Sequence, residues 1–540
     1  MNKNDRLTFE IERMSSDFSG IAVHHGRVTF IPFTLPGEKV LGHVLSVKKR
    51  HAFAKALEIV NPSLERTYPV CAHFEKCGGC SCQHITYEAT LRYKQQAVRD
   101  YFERIAKLSV TVLPVIAADK PFGYRNKTSM PVSQDKNGKL YAGFYAPRSH
   151  RLIKVKDCPI SMAQSITLSN RVLSWANECG LSAYDENTGQ GLLRHIVTRV
   201  NQKGESMLTL VINGQKLPHQ DRLLENLADF ERLVSVNLSI NQDKGNVILG
   251  NESENIWGQC HLKEQLLGIN FRLSPHSFFQ VNTLQAERLF SAALEMSGIT
   301  KNDIVADIYC GTGTLSLLFA PYAKEVVGIE IVPSAVEDAK KNAINNQIDN
   351  AKFFTGAAEE LLPAMVKGGF RPSIVLLDPP RKGVDTKVLD AVIASDANKI
   401  VYISCYPATQ ARDCAYLAKH GFSPTMCQPV DMFPQTEHVE TVCLLSKLNA
   451  KQHIEINLDM DELDLTDAEK KATYQEIKDY VLEHSGLKVS SLYIAQVKQK
   501  CGIIERENYN KPKSEDAKQP QCPPDKEKEI KEALTHFGMI

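Results

Sequence analysis

Cys405 closes the apolar run IVYISC at 400–405, so a strand would deliver it to a sheet edge. As a thiolate it is a nucleophile. Glu437-His438-Val439-Glu440 precedes the apolar run TVCLLS and returns a carboxylate to the same sheet. A thiolate and a carboxylate at one edge suit covalent attack on an electron-poor carbon, followed by removal of a proton. A third group stands at the end of another apolar run, SIVLLDPP, where Asp378-Pro379-Pro380-Arg381 can meet cofactor or substrate.

A cofactor site precedes these groups. The run DIVADIY leads into Cys310-Gly311-Thr312-Gly313-Thr314, and glycines at such a turn let backbone approach a ligand. Glu330 ends the next apolar run, where a carboxylate accepts hydrogen bonds from both hydroxyls of a ribose. One glycine pair, without a third glycine or a Lys-Ser/Thr, favours S-adenosylmethionine over a dinucleotide or ATP.

Positioning these groups requires a doubly wound sheet. From 303 the chain repeats buried strand, turn and helix (DIVADIYC, EVVGIEIV, PSIVLLDPP, KIVYISC), which predicts a Rossmann-like domain over 273–449. Upstream, residues 1–62 alternate apolar and polar positions between turn signals such as Leu35-Pro36-Gly37-Glu38, predicting a small OB-like β-barrel. Lys48, Lys49, Arg50 and Lys55 near its end either track a phosphate backbone or form a solvated face. Residues 63–272 open with a Cys- and Gly-rich loop and a helical pattern of Leu91, Val98, Phe102 and Ile105, then read as α+β, with strands LYAGFYA, LRHIVTRV, SMLTLVIN and SVNLSIN. Residues 450–540 read as a weakly ordered helical appendage: an acidic link at 459–462, short helices at 473–484 and 490–500 around Gly486, and a Lys/Pro/Glu-rich stretch at 511–530. Ser490 suits an N-cap and Gly502 a stop, in either a helix-turn-helix or a plain hairpin.

Composition bounds the class. With 540 residues, 43% hydrophobic and 24% charged, the chain predicts several soluble domains. It shows neither a leader-like apolar segment nor a membrane span, which predicts a cytoplasmic protein with no membrane partner and fourteen cysteines free for ligation or catalysis. A net charge of +1 leaves any nucleic-acid binding to local patches.

LLDPPRKG, YISCYPATQARD and HVETV together resemble the motifs of the RNA uracil-C5 methyltransferases of the TrmA/RumA type, over roughly residues 5–448. PHSFFQVN at 275–282 resembles the family segment whose Gln contacts adenosylmethionine, here Gln280, and Tyr309 matches the aromatic position after DI. The resemblance implies that Gln280, Tyr309, Glu330 and Asp378 contact cofactor or substrate, that Cys405 adds to uracil C6, and that Glu440 removes the C5 proton. Cys71, Cys77, Cys80 and Cys158 resemble the iron–sulfur ligands of the ribosomal RNA members, with Cys82 a bystander, and the barrel resembles their TRAM RNA-binding domain. Four thiolates suit [4Fe–4S] or zinc. Because bacterial transfer-RNA members typically lack both features, the resemblance implies 5-methyluridine formation in a loop or bulge of 23S ribosomal RNA, with no obligatory protein partner. Transfer RNA, a cytosine-C5 reaction and a non-catalytic RNA-binding assembly factor are the competing readings. Tyr406 stands where the family carries Asn, and Ala357 where it carries a polar residue near the adenine.

Overall fold

The computed structural model describes residues 1–447, 474–485, 487–501 and 522–536. The chain divides into two compact units, Met1–Asn449 and Ala450–Ile540.

The alternating pattern of the first 60 residues forms a six-stranded sheet in the order Arg6–Glu10, Lys39–Val47, His51–Asn61, Arg27–Pro32, Ser19–His24 and Arg13–Met14. Phe9, Ile11, Ala22, Ile31, Val40, Val44 and Ala54 share one core, so residues from both ends of the sheet meet and it curls on itself. Position 20 tolerates no side chain, because a Cβ there would lie 2.1 Å from Thr34 Oγ1. Lys48, Lys49, Arg50 and Lys55 are all exposed.

A seven-stranded sheet follows, in the order Leu152–Lys154, Leu140–Tyr145, Lys127–Gln134, Leu193–Val200, Ser206–Ile212, Leu233–Ile240 and Ser253–Gly258. It contains the four strand runs read from sequence. The helix Ala163–Glu178 covers it and buries Leu168, Val172 and Trp175.

The doubly wound sheet has eight strands, in the order Ala351–Thr355, Glu325–Glu330, Ile304–Ile308, Ile374–Leu377, Lys399–Ser404, Glu440–Lys447, Phe422–Val430 and Thr111–Val112. Its first five strands run parallel, and Glu440–Lys447 enters antiparallel. Strand order reverses between Ile304–Ile308 and Ile374–Leu377, which opens a crevice at their carboxyl ends.

The edge strand Thr111–Val112 comes from the segment that sequence assigns to the middle region. Helix Tyr87–Tyr101 likewise joins this sheet, burying Val98 in its core. Periodicity gives a helix an apolar face but does not say what the face packs against. The helix continues as a π-turn, Phe102–Ala106, which rotates the face: Phe102 is buried, whereas Ile105, expected inward, is 47% exposed.

In the second unit, helices Tyr474–Ser485, Ser491–Lys500 and Pro524–His536 share a core that includes Ile477, Val481, Ile494, Val497, Ile530 and Leu534. Ser490 caps the second helix by accepting from Tyr493 N, as its type suggested. Pro524–His536 lies within the appendage expected to be weakly ordered and supplies a third helix, so the described part is more than a hairpin. Gly486, Gly502 and the acidic link lie outside the described residues. No helix among the described residues is long and apolar enough to cross a membrane.

Candidate active site

Strand register brings the reactive groups together. Leu377 pairs with Tyr402 in parallel, so Asp378 lies one step on, beside the end of Lys399–Ser404. Ser404 pairs with Thr441 in the antiparallel ladder, which makes Cys405 and Glu440 the next opposed pair. Side chains lock that junction. Thr441 Oγ1 hydrogen-bonds Ser404 O at 3.1 Å and donates to Gln410 Oε1 at 2.8 Å, and Gln410 Nε2 donates to Tyr402 O at 2.7 Å. Asp413 accepts from Tyr402 OH at 2.7 Å and from Val384 N at 2.9 Å, which ties the Asp378–Gly383 loop to helix Pro407–Ala418.

One cavity of 1130 Å³ is lined by Gln280, Tyr309, Glu330, Asp378, Cys405 and Glu440, so the structure brings all six candidate residues into one space. That volume exceeds what one small ligand needs. Asp307, Thr312, Arg381, Phe433 and His438 share its wall. Asp307 is the residue that the sequence reading passed over: it lies within the apolar run DIVADIY and reads as strand. A carboxylate in such a run was the available signal.

At the cofactor end, Tyr309 has φ +71, and its N–H and that of Cys310 both donate to Ile329 O at 3.0 Å. A tyrosine in that backbone region is strained, and such strain collects at functional sites. Glu330 Oε2 accepts from Gly311 N at 3.1 Å and its Oε1 from Val332 N at 2.8 Å, which fixes the carboxylate against the glycine turn. Ser316 Oγ donates to Asp307 Oδ2 at 2.5 Å, while Asp307 Oδ1 and Thr312 Oγ1 are buried without partners. Orphaned acceptors in a cavity wall suit a ligand that brings donors. Ala357 precedes helix Ala358–Lys367 without a side-chain cap, and Tyr406 is 45% exposed at the start of Pro407–Ala418.

The site is electrostatically tense. Burial, then the carboxylates of Glu440 and Asp378, push the Cys405 thiol up to about 11, with Arg381 opposing. Burial and then Asp378 raise Glu440 to about 8, again against Arg381. Asp378 rises to about 7 through burial and Asp307, and Asp307 to about 6 through burial, with Ser316 opposing. A cation entering this cavity favours the ionised form of all four groups.

The N-terminal cysteines gather elsewhere in the unit. Burial and the neighbouring thiols raise Cys71, Cys77 and Cys80, the last to about 12, and Cys158 acts on all three. Gln83 Oε1 accepts from Cys71 N at 3.0 Å, and its buried side-chain amide faces Cys80 and holds that thiol's pKa down against burial. Among the described residues, however, no three His, Cys, Asp or Glu side chains are placed to hold a metal ion. The four cysteines expected from sequence to bind metal thus lie as neighbouring thiols. Cys82 is buried with Phe18, Leu35, Ile85 and Ala89.

The family model described as tRNA (Uracil-5-)-methyltransferase matches residues 86–448. An RNA methyltransferase of Halalkalibacterium halodurans is 40% identical over 452 residues, 83% of this chain and 98% of its own. One from Listeria monocytogenes is 40% identical over 446 residues, 82% and 98% of the two chains. The crystal structure of Pyrococcus abyssi tRNA (uracil-54, C5)-methyltransferase in complex with S-adenosyl-L-homocysteine superposes with a TM-score of 0.65 at 26% identity, covering 81% of this chain and all of that one.

Proposed function

We propose, since this chain belongs to the tRNA (uracil-5-)-methyltransferase family, that it uses S-adenosylmethionine to convert a uridine of 23S ribosomal RNA into 5-methyluridine. The observation that carries this reading is the opposition of Cys405 and Glu440 across one ladder, in a cavity shared with the glycine turn and Glu330.

The residues present fit the cofactor. Glu330 is oriented for ribose hydroxyls, Asp307 Oδ1 and Thr312 Oγ1 need donors, and Gln280 and Tyr309 line the same wall. When bound, adenosylmethionine supplies an electrophilic methyl on a sulfonium. Cys405 adds as thiolate to C6 of a base flipped into the cavity, forming the S–C6 bond and an enolate nucleophilic at C5; the bound cofactor would supply the methyl that C5 takes and would leave as S-adenosylhomocysteine with the electron pair of the broken methyl–sulfur bond. The C5 proton then passes to Glu440, the C5–C6 double bond re-forms, and the S–C6 bond breaks with its electron pair returning to sulfur. Arg381, which lowers both Cys405 and Glu440, favours the anions that this sequence requires. Asp378, beside them, orients cofactor or base.

Cys71, Cys77, Cys80 and Cys158 would hold a [4Fe–4S] cluster, and the buried Gln83 amide that faces Cys80 suits a sulfur acceptor there. The Cys-rich loop and the curled N-terminal sheet, which resembles a TRAM domain, favour ribosomal RNA. A second reading, transfer RNA as substrate, is favoured by the Pyrococcus tRNA enzyme, which matches over 81% of this chain. Anaerobically purified protein incubated with unmodified 23S rRNA or transfer RNA and labelled adenosylmethionine separates them. Label recovered as 5-methyluridine at defined rRNA positions is expected. Label in transfer RNA alone replaces the substrate, and a fully active Cys405→Ala variant overturns the mechanism.

A further inference from the structure

The turn leading into Glu440 is held largely by parts of the chain remote from it in sequence. Its first half is pinned by side chains from several elements. Asp431 takes Lys94 Nζ at 2.6 Å and Tyr87 OH at 2.7 Å, Asn282 Nδ2 donates to Met432 O at 3.1 Å, and Tyr124 OH donates to Pro434 O at 3.0 Å. Its second half depends on the cysteine loop. Ser81 N donates to Gln435 O at 3.0 Å and Cys82 N to the same oxygen at 3.3 Å. Ser81 Oγ donates to Glu437 Oε2 at 2.6 Å and accepts from Glu437 N at 2.9 Å. One hydroxyl thus closes a ring on both ends of Glu437, and a bond to a carboxylate is the stronger kind. Among the described residues, Ser81 alone reaches Glu437 by hydrogen bonds from outside the turn. Glu437 is followed by His438, on the cavity wall, and two residues later by Glu440.

The junction of Cys405 with the strand that begins at Glu440 is anchored differently, through Thr441, Gln410 and Tyr402. None of these bonds involves Ser81, so the nucleophile and the turn before the base have separate supports.

We propose that Ser81 is a positioning residue for proton abstraction: by locking Glu437 it sets the stretch bearing His438 and Glu440, so that the cysteine loop governs how fast the covalent RNA adduct resolves. This rests on the roles given above to Cys405 and Glu440. Addition and methyl transfer proceed without the Ser81–Glu437 ring. Passage of the C5 proton to Glu440, and with it release of the Cys405 sulfur, does not proceed at full rate.

The test uses the full chain with in vitro transcribed 23S rRNA and transfer RNA and labelled adenosylmethionine, quenched in denaturant to separate protein-bound from free methylated RNA. Ser81→Ala is expected to raise the protein-bound fraction at least fivefold and to lower kcat about ten- to a hundredfold, the scale of a small misplacement of a reacting group, with KM falling in step because the stages up to methyl transfer are unchanged. Ser81→Thr, which keeps the hydroxyl, is expected to restore free product. If Ser81→Ala does not fold, Glu437→Gln, which removes the charge from the same bond, must accumulate adduct instead. Free product at the wild-type rate from whichever variant folds, or equal loss of adduct and product, overturns the proposal. Glu440→Gln serves as reference. If it traps no adduct on either RNA, the reading of Cys405 and Glu440 fails; if it traps adduct while Ser81→Ala does not, only the role of Ser81 fails.

Discussion

Lys94 and Asp431 form an ion pair at 2.6 Å with both side chains at 0% exposure. Lys94 Nζ also donates to Phe433 O at 3.2 Å, and Tyr87 OH donates to Asp431. Lys94→Met keeps most of the stem's volume but leaves a carboxylate buried with only a phenol partner. Stranding one member of a buried pair costs about 3–5 kcal/mol, and the remaining Tyr87 bond places the expected loss near about 3 kcal/mol. Replacing both partners removes the stranded charge, so Lys94→Met with Asp431→Asn should cost well under the sum of the single changes, with a coupling of about 1–3 kcal/mol. The measurement is the free energy from urea unfolding of the wild type, both single variants and the double variant, by circular dichroism at neutral pH. Because Asp431 opens the turn that ends at Glu440, Lys94→Met should also lower kcat in the protein that remains folded. A Lys94→Met loss below about 1 kcal/mol, or strictly additive single effects, would refute the argument that this pair clamps the turn.

Three further outcomes follow from the same site. Asp307, Asp378 and Glu440 are held at about 6, 7 and 8, above their ordinary values of 3.8, 3.8 and 4.5, so the native state keeps protons that the unfolded chain has released. Their contribution is complete below about pH 4 and is lost as pH rises through 8. Thermal melting of the ligand-free protein should therefore show a larger fall in Tm from pH 5.5 to pH 8 for the wild type than for Glu440→Gln, which removes one of these groups and leaves the opposing His84, His195 and Lys127 in place, and an equal fall would contradict the assigned burial. Gly328→Ala puts a Cβ 2.7 Å from Phe353 and 2.9 Å from Cys310 Sγ, so weaker adenosylmethionine binding by calorimetry and a stability loss of about 1–3 kcal/mol are expected; wild-type affinity would show that the wall yields. A chain ended after residue 449 keeps every described residue lining the cavity and should transfer methyl groups at the full-length rate in the labelled assay; a slower rate would give the second unit a part in RNA binding.

The candidate site was legible in sequence because Glu330, Asp378 and Cys405 end buried apolar runs and Glu440 begins one, and these ends share one edge of an α/β sheet. That logic led to Asp378, Cys405, Glu440 and Glu330. It missed Asp307, whose carboxylate lies within its run rather than at the end. Nor did it show that helix Tyr87–Tyr101 and Thr111–Val112 complete the sheet of the C-terminal half, because a two-residue edge strand carries no periodicity and an amphipathic helix does not name its partner. Ser81 was invisible for a related reason: a serine between two cysteines gives no sign of a contact 356 residues away.

That separation bears on synthesis. Chain growth at about 5–20 residues per second puts roughly 20–70 seconds between the emergence of Ser81 and of Glu437 from the ribosome. Throughout that interval the cysteine loop lacks its docking partner, and the strand that brings Glu440 is the last to enter the sheet among the described residues. A nascent or prematurely terminated chain that already carries the glycine turn and Cys405 therefore lacks the residue proposed to release RNA from the adduct.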